Sequence, residues 1–252
     1  MISQTILEVA EKQPLKFFLK GTKMNAWLDK LYKTFIVDDN YMMLIKGFGN
    51  TLLITLCALL IGVVIGSVIA IAKYYAEDNK KLKVVNTICD IYTTAIRGIP
   101  VTVLLMIFYF IIFVSDTTGI MTAIIAFGIN SGAYMAELIR SGINAVDKGQ
   151  MEAARSLGMS KSQAMRKIIF PQAIKNILPA IGNECIALLK ETSVAGYVTV
   201  VDLTRAANLI RTNTNDAVNP LILLALVYLT LVIIMTKLLA VLEKRLRKSD
   251  GR

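Results

Sequence analysis

Five apolar runs, each bounded by polar or basic residues, set the pattern of this chain. The first, Phe48 to Ala72, is nearly free of charge. It is long enough to cross about 30 Å of hydrocarbon at about 1.5 Å per residue. Gly62 and Gly66 within it form a GxxxG pair, the small-residue spacing that lets helices pack closely. Leu82–Arg97 reads as a helical lead-in to the second run, Ile99–Val114, which spans only if its helix begins near Val85. Pro100 predicts a kink or a restart in it. Ser115–Gly119 is a tight turn, so the third run, Ile120 to about Ala145, returns antiparallel to the second. The fourth, Ile174 to about Leu189, is broken by Pro179, Gly182, Asn183 and Glu184. The fifth, Pro220 to about Leu242, is the cleanest and ends in a basic string that starts at Glu243. The pattern predicts an all-α integral membrane protein with five transmembrane helices.

Between the third and fourth runs lies a polar, basic segment, Val146 to Ala173. Its local signals describe two short helices with a bend between them. Asp147 followed by Gln150 has the pattern of a capped helix start, and Ser160 with Gln163 repeats it. Met151, Ala153, Ala154 and Leu157 make a small apolar stripe on the first helix, and Gly158 supplies the left-handed stop. Ala164, Ile168 and Ile169 carry the next apolar face until Pro171 interrupts it. A short helix with small alanines, a carboxylate at its start and a glycine bend suits a groove on a partner. Lying on the membrane surface would explain the same features.

Composition narrows the class. With 252 residues, 55% of them hydrophobic, and a mean hydropathy of +0.59, the chain is too apolar for an ordinary soluble domain. The net charge of +10 lies between apolar runs, which argues against nucleic-acid binding. Cys57, Cys89 and Cys185 have neither metal spacing nor a disulfide-framework count. The absence of histidine excludes histidine catalysis and histidine metal ligation in this chain.

Residues 1–46 read as a lysine-rich arm without a cleavable signal. Leu15–Leu19 and Trp27–Ile36 suit an interface, with Trp27 and Tyr32 as anchors; a solvated arm is the other reading. A membrane domain then covers 47–243, with its loop at 146–173, and a basic tail covers 244–252. Lysine and arginine concentrate after the first run, in the loop and in the tail, so these segments share the cytoplasmic side. The predicted topology is N-terminus outside and C-terminus inside, although it leaves the basic arm outside as well.

Polar side chains inside spans are costly and point to function. In the fourth run Asn183 and Lys190, like Glu184 and Glu191, are separated by about two helical turns and share a face. Asn130 and Glu137 repeat that spacing in the third. Amides and carboxylates on facing helices could bind the charged head and polar side chain of an amino acid. Equally, Asn130 and Asn183 could be packing glue between helices, with Glu137 paired to Arg140.

Several strings resemble a known family. Glu152-Ala-Ala, Gly158, Ile168 and Pro171 look like the EAA loop of ABC-importer permeases, with Phe170 where that pattern has Leu. Arg97-Gly-Ile-Pro100, Asn130 through Glu137, Lys148-Gly-Gln150, Gly182-Asn-Glu184, Leu188 through Ser193 and Asp202 through Ala207 resemble the polar amino-acid permeases of that group. These include the histidine, arginine and glutamine systems. The similarity runs from roughly Tyr41 to Arg247. It implies an ABC importer type I-like permease fold in the cytoplasmic membrane of a prokaryote, moving polar amino acids by ATP-driven alternating access.

The resemblance further implies an ATPase-coupling helix carrying Glu152, Ala153, Ala154, Leu157 and Gly158. The substrate pathway would involve Asn130, Ser131, Glu137, Asn183, Glu184, Glu191 and Thr192. Asp202, Arg205 and Arg211 would touch an extracytoplasmic amino-acid-binding protein. Implied partners are ABC ATPase subunits and a second permease subunit, identical or not. The chain has no P-loop pattern, so ATP and Mg would be held by the partner ATPase, with no cofactor and no metal site here. The alternative is a secondary carrier driven by an ion gradient, which predicts inverted repeats that five spans do not display.

Overall fold

The computed structural model describes residues 23–37, 39–77 and 82–248. Ten α-helices are found among them: α1 (Lys23–Tyr32), α2 (Asn40–Glu77), α3 (Lys83–Gly98), α4 (Val101–Ile107), α5 (Ile120–Asn144), α6 (Lys148–Ser156), α7 (Lys161–Ala164), α8 (Phe170–Glu191), α9 (Leu203–Thr214) and α10 (Asn219–Lys248). The expected interfacial stretch Leu15–Leu19 lies outside the described residues. So does the end of the basic tail. The first long helix starts at Asn40, so the boundary expected between 46 and 47 falls inside it. Tyr41, Met42 and Ile45 already present an apolar exposed face there, and nothing at Lys46 or Gly47 interrupts the helix.

The contact that organises the fold is α2 against α5, the most extensive pairing in the chain. A Cβ added at Gly62 would meet the Ser131 side chain at 2.7 Å, and one at Gly66 would run into Met135. The arrangement is reciprocal. Gly128 and Gly132, also four apart, make room for Ile61 and Ile65 of α2, which an added Cβ would meet at 2.7 and 2.8 Å. Two small-xxx-small patches therefore let the backbones approach, which is how helices gain contact in a solvent as apolar as their side chains.

Around this pair, Ile54, Ala58, Leu105, Phe127, Leu188 and Val198 join α2, α4, α5, α8 and the turn after α8 into one core. A second cluster, Ala70, Ile139, Ala173 and Ile177, locks the loop-bearing ends of α2, α5 and α8. Trp27 donates to Asn219 at 3.1 Å, and Lys30 and Thr34 reach the fully buried Asp216 at 3.1 and 2.9 Å. These bonds tie the N-terminal segment to the α9–α10 turn.

Asn40–Ala76, Ile120–Asn144 and Asn219–Leu246 are long and apolar enough to cross a membrane. The expected second span divides: Lys83–Gly98 and Val101–Ile112 are bent by 105° where Gly98-Ile99-Pro100 interrupts the helix. Pro100 has no N–H to extend α3, so α4 restarts in a new direction. The fourth run behaves the other way. Expected to be broken, it forms one helix, α8, with Pro179 inside it. Its 22 residues measure about 33 Å, but its polar residues keep its hydropathy below that of the three clear spans. The bend expected within the loop is also modified. α7 is one turn long and passes through a wider turn, Met165–Ile169, directly into α8, so Pro171 sits in the first turn of α8 rather than ending a helix.

Two outcomes test this frame. Gly66→Ala should lower the thermal midpoint of the detergent-solubilised chain, because overpacking of this kind costs about 1–3 kcal/mol. Gly49→Ala, with open space around it, should leave the midpoint close to native. The second concerns Asp116, in the turn before α5. Burial opposes its charge, but hydrogen bonds from Thr122, Thr118 and Gly119 outweigh that and hold its carboxyl down to about 2. A depressed native pKa stabilises fully above the ordinary carboxylate value of about 4 and is lost as pH falls toward 2. Asp116→Asn should therefore flatten the acid limb of stability against pH over that window.

Candidate functional site

Helix α5 carries its polar residues on one stripe. Asn130, Ser131, Tyr134, Glu137 and Arg140 recur at helical spacing along it. At the middle of the helix the stripe meets α8. The Asn130 amide donates to Glu191 Oε2 at 3.4 Å, and the Ser131 hydroxyl donates to Glu184 Oε1 at 3.2 Å. Glu184 and Glu191, two turns apart on α8, thus face the stripe together, as their spacing predicts. Among the described residues no cation stands within salt-bridge distance of either carboxylate.

Toward the loop-bearing end the stripe opens into a cavity of about 830 Å³ between α2, α3 and α5. Its wall from α3 is the polar face Asn86, Asp90, Thr93, Thr94 and Arg97, while Val84, Ile88 and Ile91 point away and are exposed. Across it stand Lys73, Glu137, Arg140 and Asn144. Lys73 Nζ lies 2.7 Å from Asp90 Oδ1 and 3.6 Å from Glu137 Oε1, and Arg140 donates to Glu137 at 2.9 Å. Glu137 thus pairs with Arg140, as one reading of the sequence expected, and Lys73 extends the pair to three helices. The Tyr92 hydroxyl donates to the Ile129 carbonyl at 2.7 Å and pins α3 against α5. The Arg97 guanidinium lies 5.1 Å from the centroid of the Tyr134 ring.

Lys73 and Asp90 are not singled out by the sequence, and Arg97 and Tyr134 enter it only within the Arg97–Pro100 and Asn130–Glu137 strings, without a site role. The signal was present: residues 86, 90, 93, 94 and 97 follow a helical period of polar positions. It was obscured because 82–97 reads as a lead-in to an apolar span.

Two expected pathway residues, Asn183 and Thr192, and one expected partner contact, Asp202, lie apart from this cluster. Asn183 is exposed on a different side of α8 and donates to the Pro179 carbonyl of its own helix at 3.1 Å. One residue's difference from Glu184 is a rotation of about 100°, which carries it off the shared face. Thr192 is fully buried and donates to the Leu189 carbonyl at 2.7 Å, closing the end of α8. Asp202 is also fully buried. It accepts the N–H groups of Thr204 and Arg205 at 3.0 Å each as the N-cap of α9, and burial pushes its carboxyl up from the ordinary value. Its side chain is closed off from the surface, whereas Arg205 and Arg211 on the same helix are exposed.

In the polar loop, Asp147 caps α6 through the Gly149 N–H at 2.9 Å, and Gln150 does not reach back as expected. Instead Gln172 Nε2 donates to Gln150 Oε1 at 3.4 Å. Ser160 and Gln163 do form the reciprocal box. α6 ends as predicted: Gly158 takes φ +83°, the Gly158 N–H bonds Arg155 O at 3.0 Å and the Met159 N–H bonds Ala154 O at 3.2 Å. This is a Schellman turn, which needs a left-handed residue at that position. Ala154 packs inward, whereas Glu152 and Ala153 are exposed and Leu157 is 84% exposed.

Comparison with known proteins places this geometry in context. Residues 62–248 match the family model described as "Binding-protein-dependent transport system inner membrane component". A Rickettsia bellii protein named for a glutamine transport system permease is 38% identical over 208 residues, spanning 81% of this chain and 93% of its own. The arginine transport system permease protein of Bacillus subtilis is 36% identical over 210 residues, spanning 82% and 94%. A crystal structure of an amino acid ABC transporter with histidines superposes with a TM-score of 0.77 at 41% identity, covering 84% of this chain and 98% of that one.

The Schellman turn carries its own test. A side chain at a left-handed position costs about 1–2 kcal/mol, so Gly158→Ala should speed amide exchange at Met159 by about 5- to 30-fold. Exchange elsewhere in α6 should change less. Native-like protection at Met159 would contradict the assigned turn.

Proposed function

The chain belongs to the family of binding-protein-dependent transport system inner membrane components, and on that footing we propose a polar amino acid as its cargo and the α5 stripe as the route. It is a multi-pass inner-membrane permease subunit of an ABC importer, working with ATPase subunits and not itself the ATPase. That membership displaces the ion-gradient carrier considered from sequence.

The observation that carries the route is continuity. Asn130 and Ser131, joined to Glu191 and Glu184, lead along Tyr134 to Glu137, Arg140 and the 830 Å³ cavity. An amino acid brings an ammonium, a carboxylate and, in a polar one, a further hydrogen-bonding group. Carboxylates, an amide, hydroxyls and cations along one helix face can replace the water that each of those groups gives up. Glutamine and arginine are the natural candidates, given the names of the relatives.

The remaining assignments form part of the same reading. Helix α6, with Glu152, Ala153, Ala154, Leu157 and Gly158, docks on the ATPase; the exposed Leu157 and the rigid turn after it support this. Arg205 and Arg211 face an extracytoplasmic binding protein, with the N-terminal segment on that side and the C-terminus in the cytoplasm. The basic residues after α2, in the loop and after α10 support this orientation. A second permease subunit completes the transporter, and the apolar outward faces of α2 and α10 meet lipid.

Reconstitution of the permease with its ATPase and binding protein in proteoliposomes tests this reading. ATP-driven uptake of labelled glutamine or arginine is the expected result. Gly158→Asp should abolish substrate-stimulated ATP hydrolysis while the complex still assembles. Uptake driven by an ion gradient with the ATPase omitted would overturn the reading.

A further inference from the structure

The polar route has one group whose environment is distinctive. Arg97 closes the polar face of α3 immediately before the Gly98–Pro100 break, at the inner end of the cavity. Lys73 and Arg140 are engaged with carboxylates, whereas among the described residues no carboxylate lies within salt-bridge distance of Arg97. It lines the cavity with Glu137 and lies over Tyr134, which falls between Ser131 and Glu137 on α5, so it stands between the loop-side cluster and the mid-helix cluster. The Tyr134 ring lies against the guanidinium at 5.1 Å. A guanidinium held over a ring in this way spends no N–H hydrogen bond on it, so its donors stay available to a carboxylate, which they match two bonds at a time.

Resting on the pathway proposed above, we propose that Arg97, held by Tyr134, is the specificity-determining residue that receives the α-carboxylate of the transported amino acid. Every amino acid presents this group whatever its side chain, so a fixed cation on the route selects the class. Glu184 and Glu191, one segment further along, are left to meet the ammonium. Binding and release at Arg97 need no proton and no covalent step.

The test uses the permease–ATPase complex in nanodiscs without binding protein, probed with L-arginine, L-glutamine and L-histidine by thermal shift and by labelled-ligand binding. Each acid is compared with its α-amide, which lacks the carboxylate. The native complex should favour the acid over the amide by about tenfold or more, the scale of a charge-assisted hydrogen-bonded pair. Arg97→Gln should weaken the acid by a similar factor and erase the preference. Arg97→Lys should keep part of it, since it retains charge and loses the fork. Co-elution of each variant with the ATPase establishes assembly, and Tyr134→Leu should weaken the preference less than Arg97→Gln does. Native acid-over-amide discrimination in assembled Arg97→Gln would overturn the assignment while leaving the pathway reading intact. The assignment would also fall if none of the three acids bound while ATP-driven uptake of one proceeded. Absence of uptake for any amino acid would instead remove the proposed cargo itself.

Discussion

The close approach of α2 and α5 is the constraint on which the rest depends. Gly62 and Gly66 on one helix, and Gly128 and Gly132 on the other, remove the side chains that would hold the backbones apart. Within a lipid environment there is no water to expel between helices, so packing contact of this kind has to supply the cohesion. The pairing also fixes the rotation of α5. With its small residues turned to α2, its polar stripe is turned to α8 and α3.

That rotation resolves the cost of polar groups within a spanning region. Ser131 lies beside the glycine contact and bonds Glu184, and Asn130 bonds Glu191. Further along, Lys73 and Arg140 compensate Asp90 and Glu137. Every member of the stripe thus meets a polar neighbour on another helix or on its own. A cluster satisfied only between side chains, with an open cavity beside it, can exchange partners with a passing solute more readily than one closed by backbone. On the proposed reading, packing and transport therefore draw on adjoining faces of one helix.

Much of this was legible in the chain itself, for identifiable reasons. Gly62-xxx-Gly66, the Gly158 stop and the Ser160–Gln163 box are local and depend on few neighbours, and each forms as read. The spacing of Glu184 and Glu191 correctly places both on one face. Asn183 lies off the face that meets α5, and no single-chain pattern reveals which side of α8 that is. Asp202 is buried rather than displayed, and a capping carboxylate in a charged string resembles a surface residue until its burial is known. The second run restarts at Pro100 as expected, whereas the fourth, expected to be broken, continues through Pro179, and the two outcomes share one cause. Proline changes the local geometry, and packing decides whether the helix restarts or continues. Asp90 escaped, and Arg97 was read only within its motif string, because an amphipathic helix leading into an apolar run reads as part of that run.

The central claim is that the polar face of α3, with the α5 stripe, borders the route of the cargo. Helix α3 offers an internal comparison, since Asp90 and Thr94 face the cavity while Ile88 and Ile91 face away from it. The most direct measurement places single cysteines at these four positions in a complex whose Cys57, Cys89 and Cys185 have been replaced. Each is then labelled with a water-soluble thiol reagent in proteoliposomes, with and without amino acid and ATP. The account predicts rapid labelling at 90 and 94 that transported substrate slows, and little labelling at 88 and 91. Equal reactivity on the two faces, or labelling at 90 and 94 that transported substrate leaves unchanged, would contradict it.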